Sequence, residues 1–394
     1  MNKPVYFDYA AATPLDPRVA KAMQPYWAQS YYNPSALYEP ARRTREALET
    51  ARHSVAQVLG AKPGEIILTA GATEANNLAL FGIASRHEKS TLVASAIEHE
   101  SVLEPLQYLN RLGWKTKLVP VRPNGLVDLA ALEKAINDQT ALVSVMYANN
   151  EVGTIQPLSK IAQILNRIKA NRRRRGVKRP LYFHSDAAQA PNYLTLQVGR
   201  LGVDLMTLNG GKIYGPKQSG CLYIKGGVEL GWYILGGGQE KGIRSGTENV
   251  PGIIGFAKAL ELAEGLRVQE SRRLRQLRDY AIDSTIKTIA NVRLNGDHKQ
   301  RLPNNINLSI EGVNGESLVH HLDAAGILVA TGSACSANNE KSSHVLLALG
   351  LKPRQVNSSV RITLGRHTTK PQVDRLIKEL KRAVKFLRAQ NQGE

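Results

Sequence analysis

Short β-forming apolar runs alternate with helix-patterned stretches through the first two thirds of the chain, and this alternation limits the fold more than any other feature. The runs lie at 65–69, 91–95, 116–121, 141–147, 181–185, 204–208 and 220–224. Stretches with helical spacing, such as ATEANNLALFGIASR and LSKIAQILNRIKANR, separate most of them. The pattern predicts an α/β fold, with a mainly parallel sheet covered by helices on both faces.

The pattern changes near residue 252. A long helical stretch is followed by a strand, a helix, a loop with Cys335, a further strand and a final helix. This order predicts a smaller α+β domain that carries the Cys335 loop. We expect a large domain over 15–255 and a small domain formed by 1–14 and 256–394. The boundary is a helix rather than a flexible linker, so the two domains should pack closely.

The chain has two cysteines in 394 residues, which is too few for a disulfide framework and fits a reducing cytosol. Its apolar content of 42% is ordinary. The first residues lack the apolar region of a signal peptide, and no apolar run is long enough to cross a membrane. We therefore expect a cytoplasmic protein.

The charge is strongly basic, with 52 Lys and Arg against 33 Asp and Glu and a formal net charge of +19. Such a field attracts polyanions or acidic proteins. The charge is concentrated at 171–180 and at 370–390. The second run has the apolar spacing of an amphipathic helix, and the first reads as a helix end that enters a surface loop. We favour solubilising surfaces over binding sites and expect no direct nucleic-acid binding.

Lys212 follows a predicted strand within the glycine-rich stretch LMTLNGGKIYGPKQSG. A lysine there is either a solvated loop residue or a Schiff-base lysine, because glycines let a bulky ring approach the backbone. The stretch is not a phosphate-binding P-loop. Pro216 separates Gly215 from Lys217, and no Ser or Thr follows to bind magnesium.

Asp186 ends another predicted strand, in LYFHSDAAQA, and Gln189 lies one short turn later. The carboxyl end of a parallel strand faces the crevice in which α/β proteins bind ligands. Asp186 is therefore either a helix N-cap or the anion that keeps the pyridine nitrogen of pyridoxal phosphate protonated.

Three more strand ends carry polar groups. Ala72 and Thr73 begin a helix after a glycine turn, where free backbone N–H groups can hold a phosphate. His99 follows the next strand and is either a structural cap or a ring that stacks on a flat cofactor. Asn149 and Asn150 follow a further strand, and an amide there could reach the phenolic oxygen of pyridoxal.

Cys335 lies among small residues and turn formers in VATGSACSANN. Buried structural cysteines usually have large apolar neighbours. The segment therefore predicts an exposed loop that presents a reactive thiol. Cys221 instead begins the strand-like run CLYI and is predicted to belong to the core.

Six motifs occur in an order that closely resembles the cysteine desulfurases: GATEANN, NNEVG, DAAQ, KIYGPK, GGGQEKGIRSGTENV and GSACS. These are pyridoxal-phosphate-dependent enzymes of fold type I, in the group of the iron–sulfur-cluster and nitrogen-fixation desulfurases. The resemblance extends from VYFDYAAATPLDPRV to the last helix. It implies a fold-type I transferase with a large cofactor-binding domain, a smaller domain and pyridoxal 5′-phosphate as cofactor.

The resemblance implies a role at the cofactor ring for several residues. Lys212 would attach the cofactor through a Schiff base, and Asp186 would pair with the pyridine nitrogen. Gln189 and Asn150 would lie near the ring oxygen. His99 would stack on the ring and help to move protons.

The resemblance also implies a phosphate site. Ala72 and Thr73 would bind the phosphate, joined by the partner subunit's Thr247, which implies a homodimer with shared active sites. Asn209 stands where the family usually has serine, and its amide would take over that contact. Gly211 stands where the family usually has histidine, so this chain lacks one of the usual phosphate contacts.

The implied reaction converts L-cysteine to L-alanine. Arg361 and Asn33 would bind the substrate carboxylate, because a guanidinium suits bidentate binding. Lys212, His99 and Cys335 would be the catalytic residues, with Cys335 accepting the sulfur as a persulfide. The sulfur acceptor would be an iron–sulfur scaffold or a tRNA-thiolation protein.

Three other functions are considered. The near alternatives are a selenocysteine lyase and another pyridoxal-phosphate-dependent lyase or aminotransferase. A distant alternative is a nucleic-acid-binding protein with a degenerate cofactor fold, suggested by the arginines at 172–175, although no aromatic-rich nucleic-acid motif lies beside them. A dehydrogenase is excluded because no G-x-G-x-x-G opens a helix after the first strand.

Overall fold

The computed structural model describes residues 4–331 and 342–391. The strands are β1 (Val5–Tyr6), β2 (Ile66–Thr69), β3 (Thr91–Ser95), β4 (Lys115–Val119), β5 (Thr140–Ser144), β6 (Tyr182–Asp186), β7 (Leu205–Asn209), β8 (Gly220–Ile224), β9 (Val292–Leu294), β10 (Asn305–Ile310), β11 (Ile327–Leu328), β12 (Ala330–Thr331) and β13 (Ser359–Thr363).

The α-helices are α1 (Pro17–Met23), α2 (Pro25–Ala28), α3 (Glu39–Leu59), α4 (Ala72–Arg86), α5 (Glu100–Arg111), α6 (Leu129–Ala135), α7 (Leu158–Arg174), α8 (Val198–Leu201), α9 (Val250–Thr288), α10 (Gly315–Ala324), α11 (His344–Ala348), α12 (Pro353–Asn357) and α13 (Lys370–Gln390). Short 3₁₀ turns lie at Pro63–Glu65, Gly210–Lys212 and Glu240–Gly242.

The central sheet has seven strands in the order β2-β8-β7-β6-β5-β3-β4. Neighbouring pairs from β7 to β4 are parallel, whereas β8 is antiparallel to both β2 and β7. The sheet is therefore mixed but mainly parallel, and the predicted fold class is confirmed. Each of the seven apolar runs forms one of its strands.

Alternate residues of the central strands pack into two different cores. Val93 and Val143 face a core shared with helices α3, α7 and α9. Leu92 and Leu142 face a second core, formed with helices α4 and α5. Because both faces are covered, these strands are buried along their whole length, which is why they read as continuous apolar runs.

A smaller antiparallel sheet follows in the order β12-β13-β10-β9. It packs with helices α10 and α13 around a separate core. The two-residue strand β1 pairs in parallel with β11, which places the start of the chain against this part. No helix in the ranges 4–331 and 342–391 is long and apolar enough to span a membrane.

Helix α9 belongs to both parts of the fold. It begins at an Asn249 cap, whose side chain accepts a hydrogen bond from the Gly252 N–H. Phe256, near its start, packs in the core of the large sheet. Ile282, near its end, packs in the core of the small sheet. The predicted domain boundary at residue 255 falls within this helix and stays a prediction.

Candidate active site

The carboxyl ends of five strands meet at one edge of the central sheet. Strands β3, β5, β6 and β7 run in the same direction. Strand β2 shares this direction, because both β2 and β7 are antiparallel to β8. The segments that follow these strands carry the predicted polar residues, and such an edge is the usual ligand site of α/β folds.

A cavity of about 160 Å³ opens at this edge. Nine of the candidate residues predicted from the sequence contribute to its lining: Ala72, Thr73, His99, Asn150, Asp186, Gln189, Asn209, Lys212 and Arg361. They come from segments up to 289 positions apart, counted from Ala72 to Arg361. The fold therefore brings together groups that the chain keeps far apart.

Lys212 ends the 3₁₀ turn that follows β7. The side-chain oxygen of Asn209 caps this turn by accepting a hydrogen bond from the Gly211 N–H at 3.0 Å. The Lys212 Nζ donates to the Ala11 carbonyl at 2.5 Å. The N-terminal segment therefore passes directly beside the amine and helps to position it.

Close backbone packing explains one glycine beside this turn. A Cβ on Gly220 would lie 2.4 Å from the Leu208 carbonyl oxygen and 2.9 Å from the Cα of Gly71. Any side chain there would push β8 away from the turn that starts α4. Gly71 itself has a φ of 129°, which residues with a Cβ rarely adopt.

Asp186 is buried at the end of β6, and its carboxylate has fixed partners. One oxygen accepts a hydrogen bond from the Ala188 N–H at 2.9 Å, and the other accepts from the Asn76 Nδ2 at 2.7 Å. Gln189 donates from its Nε2 to the Ala10 carbonyl at 3.0 Å. The carboxylate is thus held in one orientation at the cavity.

A more open cleft of about 630 Å³ adjoins the start of α4. Its lining includes Thr73, Asn209, Gly211 and Lys217. Helix α4 has fifteen residues, so its first N–H groups and its dipole favour an anion here. A Cβ on Gly211 would lie no closer than 3.5 Å to its neighbours. Sterics therefore do not require glycine at the position where the family usually has histidine.

His99 combines the two roles considered from the sequence, because it caps α5 and also lines the cavity. Its Nδ1 accepts the Ser101 N–H at 3.1 Å and lies 2.9 Å from the Ser101 Oγ.

The two asparagines that follow β5 differ in their positions. The buried amide of Asn149 bonds to the backbone of Ile97 and nearby residues, so only Asn150 lines the cavity.

Arg361 is fully buried in β13, and its guanidinium already has a carboxylate partner. Its Nη2 lies 2.8 Å from Asp8 Oδ1, and its Nη1 donates to the Asn150 carbonyl at 3.3 Å. The Nε is buried, and no residue that the structure describes bonds to it. The guanidinium is therefore held by Asp8 and the Asn150 carbonyl.

Two of the described candidate residues, Asn33 and Thr247, do not line this cavity. Asn33 is exposed, and its side chain accepts a hydrogen bond from the Ser35 N–H at 2.9 Å. Thr247 is also exposed. Cys335 lies outside the described residues. Cys221, by contrast, is buried in β8, and burial raises the pKa of its thiol, so its predicted place in the core is confirmed.

Two buried carboxyl groups near the site were missed in the sequence. Glu98 precedes His99 and is completely buried, which raises the pKa of its carboxyl group to about 8. Glu151 follows Asn150, and burial raises its pKa to about 7. Its Oε2 accepts a hydrogen bond from the Ser343 Oγ at 2.5 Å. Their positions beside two selected residues were the only signal in the sequence.

The basic run at 171–180 is partly an internal structural element. Arg172 is buried and donates to the carbonyl oxygens of Asn137 and Thr140. Arg175 forms a two-pronged ion pair with Asp138, at 2.8 and 2.6 Å. The arginines that suggested nucleic-acid binding therefore include two that join α7 to the segment before β5.

The chemistry of the cavity fits pyridoxal phosphate. An amine from Lys212, a buried carboxylate from Asp186 and the N-terminus of α4 surround one space. These are the groups needed to attach an aldehyde, to pair with a pyridine nitrogen and to hold a phosphate.

Several known proteins resemble this chain over nearly its whole length. The sequence pattern of the class-V aminotransferase family matches residues 5–376. Cysteine desulfurase IscS 1 of Archaeoglobus fulgidus is 43% identical over 386 residues, covering 98% of both chains. A NifS-like protein of known structure superposes with a TM-score of 0.89 at 34% identity, over 97% of this chain and 100% of the other. The structure of SspA in complex with cysteine gives a TM-score of 0.79 at 32% identity, over 93% of this chain and 100% of the other.

These matches cover nearly the whole chain, and the resemblance seen in its motifs is confirmed. The mixed sheet and the smaller antiparallel sheet are shared with the NifS-like structure across the same length. The chain belongs to the class-V aminotransferase family and, within it, to the cysteine desulfurases.

Proposed function

We propose that this protein is an L-cysteine desulfurase that uses pyridoxal 5′-phosphate and passes sulfur to acceptor proteins through Cys335. The observation that carries the proposal is one cavity lined by Lys212, Asp186 and Arg361 in a chain of this family. These residues supply the amine, the carboxylate and the guanidinium that a pyridoxal enzyme for an amino acid requires.

The residues of the chain would share the work as follows. Lys212 would hold the cofactor covalently, Asp186 would pair with its ring nitrogen, and the start of α4 with Thr73 would bind its phosphate. When bound, the cofactor supplies an electron sink that weakens the bonds at the α-carbon of the substrate. His99 lies where it could donate or accept a proton at the cavity.

Arg361 would bind the carboxylate of cysteine. In the structure it is paired with Asp8, so the incoming carboxylate must share or replace this partner. The donors for the new anion would be its Nη1 and Nη2 groups, which here bond to the Asn150 carbonyl and to Asp8. Asn33, although exposed, stays a proposed second contact, and its support is the family resemblance alone.

Sulfur transfer would need the thiolate of Cys335. The thiolate attacks the sulfur of the substrate, an S–S bond forms, and the carbon–sulfur bond breaks. The electron pair of that bond remains on carbon, which takes up a proton, and alanine is the product. Cys335 retains the sulfur as a persulfide. A thiol of an acceptor protein would then attack and take up the outer sulfur, and Cys335 would leave as a thiolate.

The experiment measures alanine and, with a thiol reductant, sulfide released from cysteine. The wild type should release both in equal amounts. Lys212→Ala should neither turn yellow with pyridoxal phosphate nor release alanine. Cys335→Ala should lose sulfide release, whereas Cys221→Ala, which changes the only other cysteine, should retain it. Equal rates for the wild type and Cys335→Ala would reject the sulfur-transfer role.

We further propose that the protein is a cytoplasmic homodimer. Four large apolar side chains are exposed: Trp27 is 65% exposed, Leu37 84%, Trp232 59% and Leu235 70%. The last two flank Tyr233 and Ile234, which line the open cleft. Burying such a surface would favour association. The exposed Thr247 would then contribute to the partner's phosphate site.

Mixed dimers test this sharing. A dimer of one Lys212→Ala subunit and one Thr247→Ala subunit contains one intact site only if Thr247 acts across the interface. Each variant alone should be inactive or weakened. Each mixed dimer should therefore show a large fraction of the activity of one wild-type site. No gain on mixing, with subunit exchange shown by mass, would mean that Thr247 acts within its own chain or not at all.

The physiological sulfur acceptor would be an iron–sulfur scaffold or a tRNA-thiolation protein. Support for the scaffold comes from the similarity to proteins named IscS. Transfer of ³⁵S from labelled cysteine to candidate acceptors, with Cys335→Ala as the control, distinguishes the two classes.

A further inference from the structure

Asn76 joins two groups of the site although no sequence pattern selected it. It lies in α4 and is fully buried. Its Nδ2 donates to Asp186 Oδ2 at 2.7 Å and to Ser101 Oγ at 2.8 Å. Both hydrogens of the amide are therefore used, one toward the carboxylate and one toward the hydroxyl.

The other end of the same amide is unsatisfied. Asn76 Oδ1 is buried, and no residue within 4–331 or 342–391 donates a hydrogen bond to it. A buried acceptor without a partner costs free energy, so general packing does not explain asparagine here. Turning the amide around would place this oxygen against the carboxylate of Asp186, which fixes its orientation. The NH₂ group is the part of Asn76 that the site uses.

Ser101 extends the connection to His99. Its Oγ accepts from Asn76, so its single hydrogen remains for His99 Nδ1, which lies 2.9 Å away. The Ser101 N–H also points to Nδ1, at 3.1 Å. Two donors therefore meet one ring nitrogen. Nδ1 must act as the acceptor, and the ring proton then belongs on Nε2.

We propose that Asn76 and Ser101 are positioning residues that hold His99 in its Nε2-protonated tautomer and join its ring to the carboxylate of Asp186. In this arrangement a single hydrogen-bonded chain orients both the proton-carrying ring and the anion of the cavity. The kinetic part of the inference rests on the proposed function, whereas the tautomer does not.

Nuclear magnetic resonance of ¹⁵N-histidine in the full-length protein without cofactor measures the tautomer. The signals of His99 are assigned by their loss in His99→Gln. The wild type should show an unprotonated Nδ1 and a protonated Nε2. Ser101→Ala and Asn76→Ala should move both signals part of the way toward the average of the two tautomers, because the Ser101 N–H still donates to Nδ1. Ser101→Thr, which keeps the hydroxyl, should keep the wild-type signals. Asn110→Ala removes an exposed amide at the far end of α5 and should change nothing.

The same variants are assayed for alanine release from cysteine with cofactor supplied. Loss of hydrogen bonds to a charged or reacting group predicts a fall of about tenfold or more in Ser101→Ala and Asn76→Ala. A tautomer that stays unchanged in both variants overturns the proposal even if the rate falls, because damage to the structure alone lowers the rate. A changed tautomer with an unchanged rate overturns it as well. If the wild type releases no alanine, the proposed function fails, while the tautomer comparison still decides the positioning role.

Discussion

Replacing Glu98 with glutamine should change how stability depends on pH. Glu98 is completely buried; its Oε1 accepts hydrogen bonds from the Ser95 Oγ and the Met146 N–H, at 2.5 and 2.8 Å. Its Oε2 has no hydrogen-bond partner in the part of the chain that the structure describes. Glutamine can keep both accepted bonds through its carbonyl oxygen. It is therefore a close match for the protonated acid and cannot ionise.

The magnitude follows from the pKa of the carboxyl group, which burial raises from 4.5 to about 8. Between these values the unfolded chain loses the proton while the folded chain keeps it. The folded state therefore loses about 1.4 kcal/mol of stability for each pH unit, and about 4 kcal/mol between pH 5 and pH 8. This loss is absent in Glu98→Gln, since glutamine has no proton to lose in the folded or in the unfolded chain.

The assay is urea unfolding of the cofactor-free protein at pH 5 and pH 8, at one fixed protein concentration because dimerisation adds its own contribution. The free energy of unfolding of Glu98→Gln, relative to the wild type, should rise by about 4 kcal/mol from pH 5 to pH 8. Glu104→Gln, an exposed change on α5, should follow the wild type. A difference between Glu98→Gln and the wild type that is the same at both pH values would refute the reasoning.

Three further predictions concern stability, measured by urea unfolding beside the wild type. Arg172→Ala removes the buried guanidinium that bonds to the Asn137 and Thr140 carbonyls and should cost about 2–4 kcal/mol, whereas the exposed Arg173→Ala should cost less than about 0.5 kcal/mol. Glu240→Ala leaves the buried Arg52 without its two-pronged partner and should cost about 3–5 kcal/mol. Gly220→Ala forces β8 from its neighbours and should also lower pyridoxal phosphate affinity, measured by absorbance titration. Costs near zero for Arg172→Ala or Glu240→Ala, or unchanged affinity for Gly220→Ala, would contradict these assignments.

The strands of the central sheet could be predicted because both of their faces are covered. The run at 91–95, for example, is apolar or small throughout and lies between polar turns, so its own residues identify it. The reversed direction of β8 was not predicted, because direction depends on the connection rather than on the strand. The pairing of β1 with β11 joins residues more than 320 positions apart and has no local signal.

The sequence could predict the candidate site residues that lie at or just after the ends of strands. Asp186 and Lys212 follow apolar strands, and that position alone suggested a ligand edge. The contacts between distant segments could not be predicted. Asn76 and Asp186 are 110 residues apart, and Asp8 and Arg361 are 353 apart, so only the folded chain shows that they meet. These contacts were therefore missed, whereas nine of the candidate residues line one cavity.

Helix α9 sets a limit on how this molecule can come apart. Its 39 residues extend about 58 Å. One of the two cores of the large sheet and the core of the small sheet both pack against this continuous helix. Unfolding either half of α9 would expose apolar residues of one sheet and weaken the packing of the other. Amides at its centre should therefore exchange with solvent only when the whole molecule opens, and the large and small sheets should be lost in one transition.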